Sequence, residues 1–346
     1  MKILFLYTEI ADYFLSGCIA LINKNVEVHV VRWKINSEAP FQFLFPERLT
    51  VYERDNYSTQ DLLNLTKKIA PDIIVCSGWL DKGYLQVCKQ FKKKAVTILT
   101  LDNHWRGDLK QRIATLISPF YLHTRFTKCW VPGTLQFGYA LKLGFKKTNI
   151  LQGFYTCNYT LFHDEYLANK EEKKQHFPKR FIYVGRYVKH KGIEDLWQAF
   201  MALEKEKTTE WELWCIGNGD LKPIIHPKIK HLGFIQPNEL KKYIKDTGVF
   251  ILPSHFEPWG VVVHEFAAAG FPIICTDEVG ARTAFVEHQV NGFIYKAGAI
   301  DELKEQLKKI INLNNDQLFK MAEKSVEKAK QITPDIWASQ LMEIIP

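Results

Sequence analysis

Two carboxylates and two cations stand out by type and spacing. Glu257 and Glu265 have seven residues between them in Ser254-His255-Phe256-Glu257-Pro258-Trp259-Gly260-Val261-Val262-Val263-His264-Glu265. This segment follows an apolar run at 249–252 and opens a helical stretch that ends at Ala269-Gly270. Gly260 allows a ligand close to the backbone. The N-terminus of a helix expected near 263–269 offers unpaired N–H groups and a partial positive charge, which suits a phosphate, and makes Gly260, Val261 and Val262 donor-binding candidates. Carboxylates on either side of that seat are placed to bind sugar hydroxyls, one on a transferred sugar and one on a ribose. Glu265 lies among valines and alanines, and a buried carboxylate needs partners. That favours a role over a solvated charge.

The cations lie about 70 residues earlier, in Tyr183-Val184-Gly185-Arg186-Tyr187-Val188-Lys189-His190-Lys191-Gly192. The pattern is strand, glycine-containing turn, helix. Arg186 is a forked anion binder and Lys191 a point charge, and together they suit a diphosphate. Their chemical use is to neutralise a nucleoside diphosphate as it leaves a sugar. Gly217 and Asn218 form a turn that lines the nucleotide pocket in this reading, and Phe234 and Ile235, after Gly233, cover the base.

These segments need strand ends to hold them. The first half alternates apolar runs at 3–7, 26–33, 73–77, 95–101 and 127–131 with helix-like stretches at 59–70 and 82–91. A charged stretch, 164–180, reads as linker or surface. The alternation then restarts, with strands at 181–184, 212–216, 249–252 and 272–276. Two restarts of βαβ imply two Rossmann-like α/β domains with parallel sheets, facing each other across a cleft. The expected boundaries are 1–158 for an acceptor-side domain and 159–330 for a nucleotide-sugar donor domain. A C-terminal helix in 331–346 is expected to pack back toward the first domain.

Together the two motif segments resemble the family-four retaining glycosyltransferases of the GT-B fold (glycosyl transferases group 1). The family's paired glutamates, with seven residues between them, match Glu257 and Glu265, and its GR…KG clamp matches Arg186 and Lys191. Further likeness runs through Ala267-Ala268-Ala269-Gly270-Phe271-Pro272, Gly280 and Asn291-Gly292-Phe293-Ile294. The resemblance implies transfer from a nucleotide-diphosphate sugar to a glycan or lipid-linked acceptor in cell-surface polysaccharide or glycolipid synthesis. It also implies retention of anomeric configuration, no metal and no cofactor; no Asp-x-Asp triplet occurs in the chain.

The loop Thr100-Leu101-Asp102-Asn103-His104-Trp105-Arg106-Gly107 occupies the place where the family has a His or Asp at the cleft. His104 is the candidate to contact the donor sugar or guide the acceptor, and Asp102 to act as acceptor base. Three departures concern the acceptor side. Tyr7-Thr8-Glu9-Ile10 replaces a glycine-rich loop, and Leu151-Gln152-Gly153-Phe154-Tyr155 replaces a Pro-Asn-Gly-Val-Asp type motif. Ala281-Arg282-Thr283-Ala284 lacks the family's acidic residue.

Composition sets the remaining bounds. The 346 residues exceed one ordinary core. None of the seven cysteines forms a CxxC pair, which fits a reducing cytosol and argues against a zinc ribbon. The start of the chain is too short and too acidic for a signal peptide and reads as a buried strand. Residues 1–153 carry 21 Lys and Arg against 12 Asp and Glu, and residues 154–346 carry 25 against 26. That imbalance points the first half toward an anionic membrane surface, on the cytoplasmic side, rather than toward nucleic acid. The competing readings are a sugar-nucleotide epimerase and a non-catalytic nucleotide-sugar binding protein. No GxGxxG follows a strand, which disfavours an oxidoreductase.

Overall fold

The computed structural model describes residues 1–34 and 43–345. The chain forms two compact units, 1–157 with 332–346, and 158–331.

The first unit runs β1 (Lys2–Leu6), α1 (Asp12–Asn23), β2 (Glu27–Arg32), β3 (Leu49–Glu53), α2 (Thr59–Ile69), β4 (Ile73–Ser77), α3 (Lys82–Phe91), β5 (Val96–Thr100), α4 (Leu109–Tyr121), β6 (Lys128–Val131), α5 (Thr134–Lys142) and β7 (Ile150–Gln152). The strands pair in parallel in the order β3-β2-β1-β4-β5-β6-β7. Both faces of β1 and β4 are buried, so their sequences are continuous apolar runs rather than alternating ones. Helix starts follow local chemistry: Ser58 and Asp61 close a capping box on α2, and Asp81 and Asp108 cap α3 and α4.

The second unit runs α6 (Tyr159–Gln175), β8 (Arg180–Val184), α7 (Ile193–Glu206), β9 (Glu212–Ile216), β10 (Ile229–His231), α8 (Lys241–Ile244), β11 (Val249–Leu252), α9 (Val261–Ala268), β12 (Ile273–Thr276), α10 (Arg282–Phe285), β13 (Gly292–Tyr295), α11 (Ile300–Ile311) and α12 (Asn315–Ala329). Its parallel sheet has the order β10-β9-β8-β11-β12-β13. α9 fixes itself on this sheet through Phe266, stacked on Phe250 with ring centroids 4.3 Å apart. Each ring buried this way contributes about 1.5–3 kcal/mol.

The chain then returns to the first unit as α13 (Pro334–Met342). Trp337 packs against Phe5 and Trp130, at 5.9 and 4.9 Å, and its Nε1 donates to Phe154 O at 2.6 Å. Gly17 of α1 faces this indole; a Cβ there would sit 3.0 Å from the ring.

The reading of 164–180 as linker is corrected: most of it belongs to α6, which packs on α9 and α12. Its charges hid an anchor. Lys173 is buried, donates to Ile244 O and Thr247 O at 2.9 and 3.0 Å, and lies over the Phe271 ring. Burial pulls its ammonium down to about 7. Among the described residues, no helix is long and apolar enough to cross a membrane.

Candidate functional site

In the second unit the strand order reverses direction between β8 and β11, which are hydrogen-bonded neighbours. Open parallel sheets bind ligands outside the carboxyl ends of strands at such a switch point. Both motif segments leave the sheet there: 185–192 from β8 and 253–260 from β11.

Lys191 Nζ donates to Glu257 Oε2, and both side chains are largely shielded, at 17% and 12% exposure. Ser254 Oγ approaches the same oxygen at 3.5 Å. The two loops are joined by their backbones as well. His255 N donates to His190 O at 2.8 Å. Gly192 has φ +65°, and a Cβ on it would lie 2.0 Å from Pro253 O, so only glycine permits this approach. His255 Nε2 and Asp195 Oδ2 add a link at 2.6 Å.

A third loop braces Glu257. Glu257 N donates to Glu278 O at 3.2 Å and Gly280 N donates to Glu257 O at 2.9 Å. Thr276 Oγ1 donates to Ser254 O at 2.6 Å. The carboxylate is therefore held on an ordered backbone, as a positioning group must be. Gly260, at φ +89°, caps α9 with no side-chain acceptor, which leaves the first-turn N–H groups of Val261 and Val262 without the usual cap. Glu265 is one turn further along, half-buried.

Arg186 is exposed on the β8 loop, and Tyr183 OH donates to its carbonyl at 2.8 Å. The loop has a positive local field: burial, then Lys191 and Arg186, hold His190 below the ordinary histidine range. Gly217 and Asn218 follow β9, beside this loop; Tyr187 N donates to Asn218 O at 2.8 Å. Gly217 N donates to Gly233 O at 2.8 Å, which brings the start of the Phe234-Ile235 loop alongside. Both of those side chains are half-buried. His264, inside the motif, is structural: it is buried, bonds Ala329 O at 3.0 Å and stacks on Phe285.

Asp102 and His104 lie in the first unit, on the loop after β5. Tyr155 OH donates to Asp102 Oδ2 at 3.3 Å, and burial followed by the Asp102 charge pushes the Tyr155 phenol well up. His104 is half-buried, and Gln111 Nε2 donates to its carbonyl at 2.7 Å.

Sequence reasoning missed the Lys191–Glu257 pair, the His255–Asp195 link and the brace from Thr276. His255 stands inside the motif segment, but nothing in spacing pairs it with a residue 60 positions away. Among the described residues no group of three His, Cys, Asp or Glu is arranged to hold a metal ion.

The family model described as Glycosyl transferases group 1 matches residues 167–332, a range that contains every element of this switch-point site. That segment belongs to the glycosyl transferases group 1 family. An uncharacterised glycosyltransferase of Methanocaldococcus jannaschii is 32% identical over 123 residues, covering 33% of this chain and 31% of that protein. The capsular polysaccharide biosynthesis glycosyltransferase CapM of Staphylococcus aureus is 33% identical over 156 residues, covering 42% and 40%. The matches thus span less than half the length of these relatives. In overall fold the chain is similar to the Anabaena protein HepE, solved in complex with UDP, with a TM-score of 0.72, 15% identity and coverage of 100% and 99%. The chain has the GT-B fold, two parallel-sheet α/β domains.

Proposed function

We propose that the chain is a retaining glycosyltransferase that moves a sugar from a nucleotide-diphosphate donor to a glycan or lipid-linked acceptor, in cell-surface polysaccharide or glycolipid synthesis. The observation that carries this reading is the meeting of Lys191 and Glu257, from loops of adjacent strands, beside the uncapped start of α9. A cation, a carboxylate and a helix N-terminus at one switch point fit a ligand that joins a diphosphate to a sugar.

In this reading Arg186, Lys191 and the N–H groups of Val261 and Val262 hold the diphosphate. Glu265 binds the ribose, Glu257 orients the sugar, and Gly217, Asn218, Phe234 and Ile235 surround the base. As the bond from the anomeric carbon to the phosphate oxygen breaks, negative charge grows on the diphosphate and positive character on the sugar. Fixed charges of both signs lower that barrier. They also stand in for a metal ion, so the reaction needs none. The acceptor oxygen then bonds to the same face of the sugar. From the first unit the reading enlists His104 to guide the acceptor and Asp102 to take its proton. It places the chain in the cytoplasm, at the inner face of the membrane.

HepE, by its description, binds UDP, which makes uridine the first base to try here. The test is thermal stabilisation by UDP, GDP, ADP and their sugars. A ligand of a specific site stabilises by RT ln(1+[L]/Kd), about 2.7 kcal/mol at a hundredfold excess over Kd. If no nucleoside diphosphate raises the melting temperature at millimolar concentration, the reading fails.

A further inference from the structure

α4 carries its apolar face outward. Leu109, Ile113, Leu116, Ile117 and Phe120 are 72, 48, 75, 49 and 82% exposed. Ser118 is the buried residue of the helix. At helical periodicity the five apolar residues form one stripe about 100° wide, with Lys110 on one edge and Arg112 on the other. A surface helix of a globular domain normally turns such a stripe to the core. Here it lies open, although α2 and α3 of the same unit bury theirs.

Length and charge select the occupant. Thirteen residues make a helix of about 20 Å, too short to cross a bilayer but suited to lie in its interface. The half of the chain that holds it is strongly basic. Beyond the end of α4 lies a cleft of about 780 Å³ whose charged lining is Lys92, Lys93, Lys94 and Lys128 against the single carboxylate of Asp72. An apolar ridge with cationic edges is complementary to acyl chains beneath acidic headgroups.

The helix is also tied to the Asp102–His104 loop. Gln111 Nε2 donates to His104 O at 2.7 Å, and its Oε1 accepts from Arg106 N at 2.6 Å and Gly107 N at 3.0 Å. We propose that α4 docks on an anionic bilayer, with its ridge in the interface and its cations on the headgroups. The acceptor then reaches the Asp102–His104 loop from that surface as a lipid-borne molecule. The acceptor clause rests on the glycosyltransferase reading; the docking clause does not.

The experiment is co-sedimentation of the full chain with vesicles of equal parts phosphatidylglycerol and phosphatidylcholine at low salt. The wild type is expected to sediment with these and to remain in the supernatant with phosphatidylcholine alone. Leu116→Glu/Phe120→Glu should lower the partition coefficient about tenfold or more. Lys110→Ser/Arg112→Ser should lower it about fivefold per charge and flatten its salt dependence. These side chains are exposed, so stabilisation by UDP should stay at the wild-type value in both variants and melting temperature in the glutamate variant; the serine variant also loses the donation from Arg112 Nε to Gly107 O at 2.9 Å. All seven cysteines are buried, so Phe120→Cys offers a reachable thiol for a polarity-sensitive dye. Its emission should shift to the blue on adding the anionic vesicles. No sedimentation of the wild type, equal sedimentation of the glutamate variant, or an unshifted dye on bound protein would each overturn the proposal. So would self-association that the glutamate variant abolishes in a chain that ignores vesicles, because a second copy would then cover the ridge. UDP stabilisation in the same samples reports separately on the donor site.

Discussion

Replacing Lys191 by methionine keeps the length of the side chain and removes its charge. In the free protein this strands Glu257, whose nearest other polar contact is Ser254 Oγ at 3.5 Å. With the carboxylate only 12% exposed, the cost to stability should be about 1–3 kcal/mol, the price of an unsatisfied buried group. If Lys191 also binds phosphate, a charge-assisted contact of about 1.5–3 kcal/mol disappears, and nucleoside diphosphate affinity should fall about 10- to 150-fold. The double variant Lys191→Met/Glu257→Gln separates the two effects. The neutral amide removes the stranded charge and restores stability, but it supplies no cation, so diphosphate binding should remain weak. Calorimetric titration of the diphosphate and thermal unfolding of Lys191→Met, Glu257→Gln and the double variant, beside the wild type, complete the cycle. If Lys191→Met binds the diphosphate as tightly as wild type, or if the double variant regains wild-type affinity, Lys191 serves only to hold Glu257 and the clamp is wrong.

The two glutamates should fail in different ways. Glu265→Gln is expected to raise the donor KM more than it lowers kcat, since ribose contacts persist from ground to transition state. Glu257→Gln is expected to lower mainly kcat and to leave diphosphate affinity near wild type; steady-state kinetics on both variants would expose a swap of roles. Transfer should continue in excess EDTA, and an activity abolished by EDTA and restored by Mg or Mn would remove the case for fixed cations. Lys173 gives a pH signature. Its folded value lies near 7 while the unfolded chain keeps an ordinary lysine, so from about pH 7 upward the unfolded state holds the extra proton and stability rises with pH. Measured from pH 6 to 9, the wild type should gain stability relative to Lys173→Met; parallel curves would mean that the ammonium stays charged when folded.

What could be read from the sequence was whatever is local. β8, β11 and β12 are buried on both faces or nearly so, and their apolar runs mark them, with the mostly apolar β9, without help from neighbours. The motif loops follow because each begins where such a run ends. β10 and β13 escaped because β10, Ile229-Lys230-His231, has a single aliphatic residue and β13 opens on Gly292, so neither is an unbroken apolar run. α6 escaped for another reason. Its charged composition suggests solvent, yet one of its lysines is a buried anchor held by two carbonyls that no spacing reveals. The pairing of Lys191 with Glu257 is likewise tertiary, set by the adjacency of β8 and β11. The outward ridge of α4 is tertiary as well, since periodicity gives a stripe but not the side it faces.

The return of α13 has a consequence for how the molecule is made. The core of the first unit leaves a slot for Trp337, bounded by Phe5, Trp130 and Gly17. A ribosome delivers the sheet of that unit well before this indole. Residues 158–331 emerge in between as a contiguous block with all of its own strands. The domain translated second can therefore finish folding first, while the earlier one waits with an open seam for its closing helix. Chaperones that bind exposed apolar surface have their longest opportunity at that seam, and a chain cut short before residue 332 leaves it open.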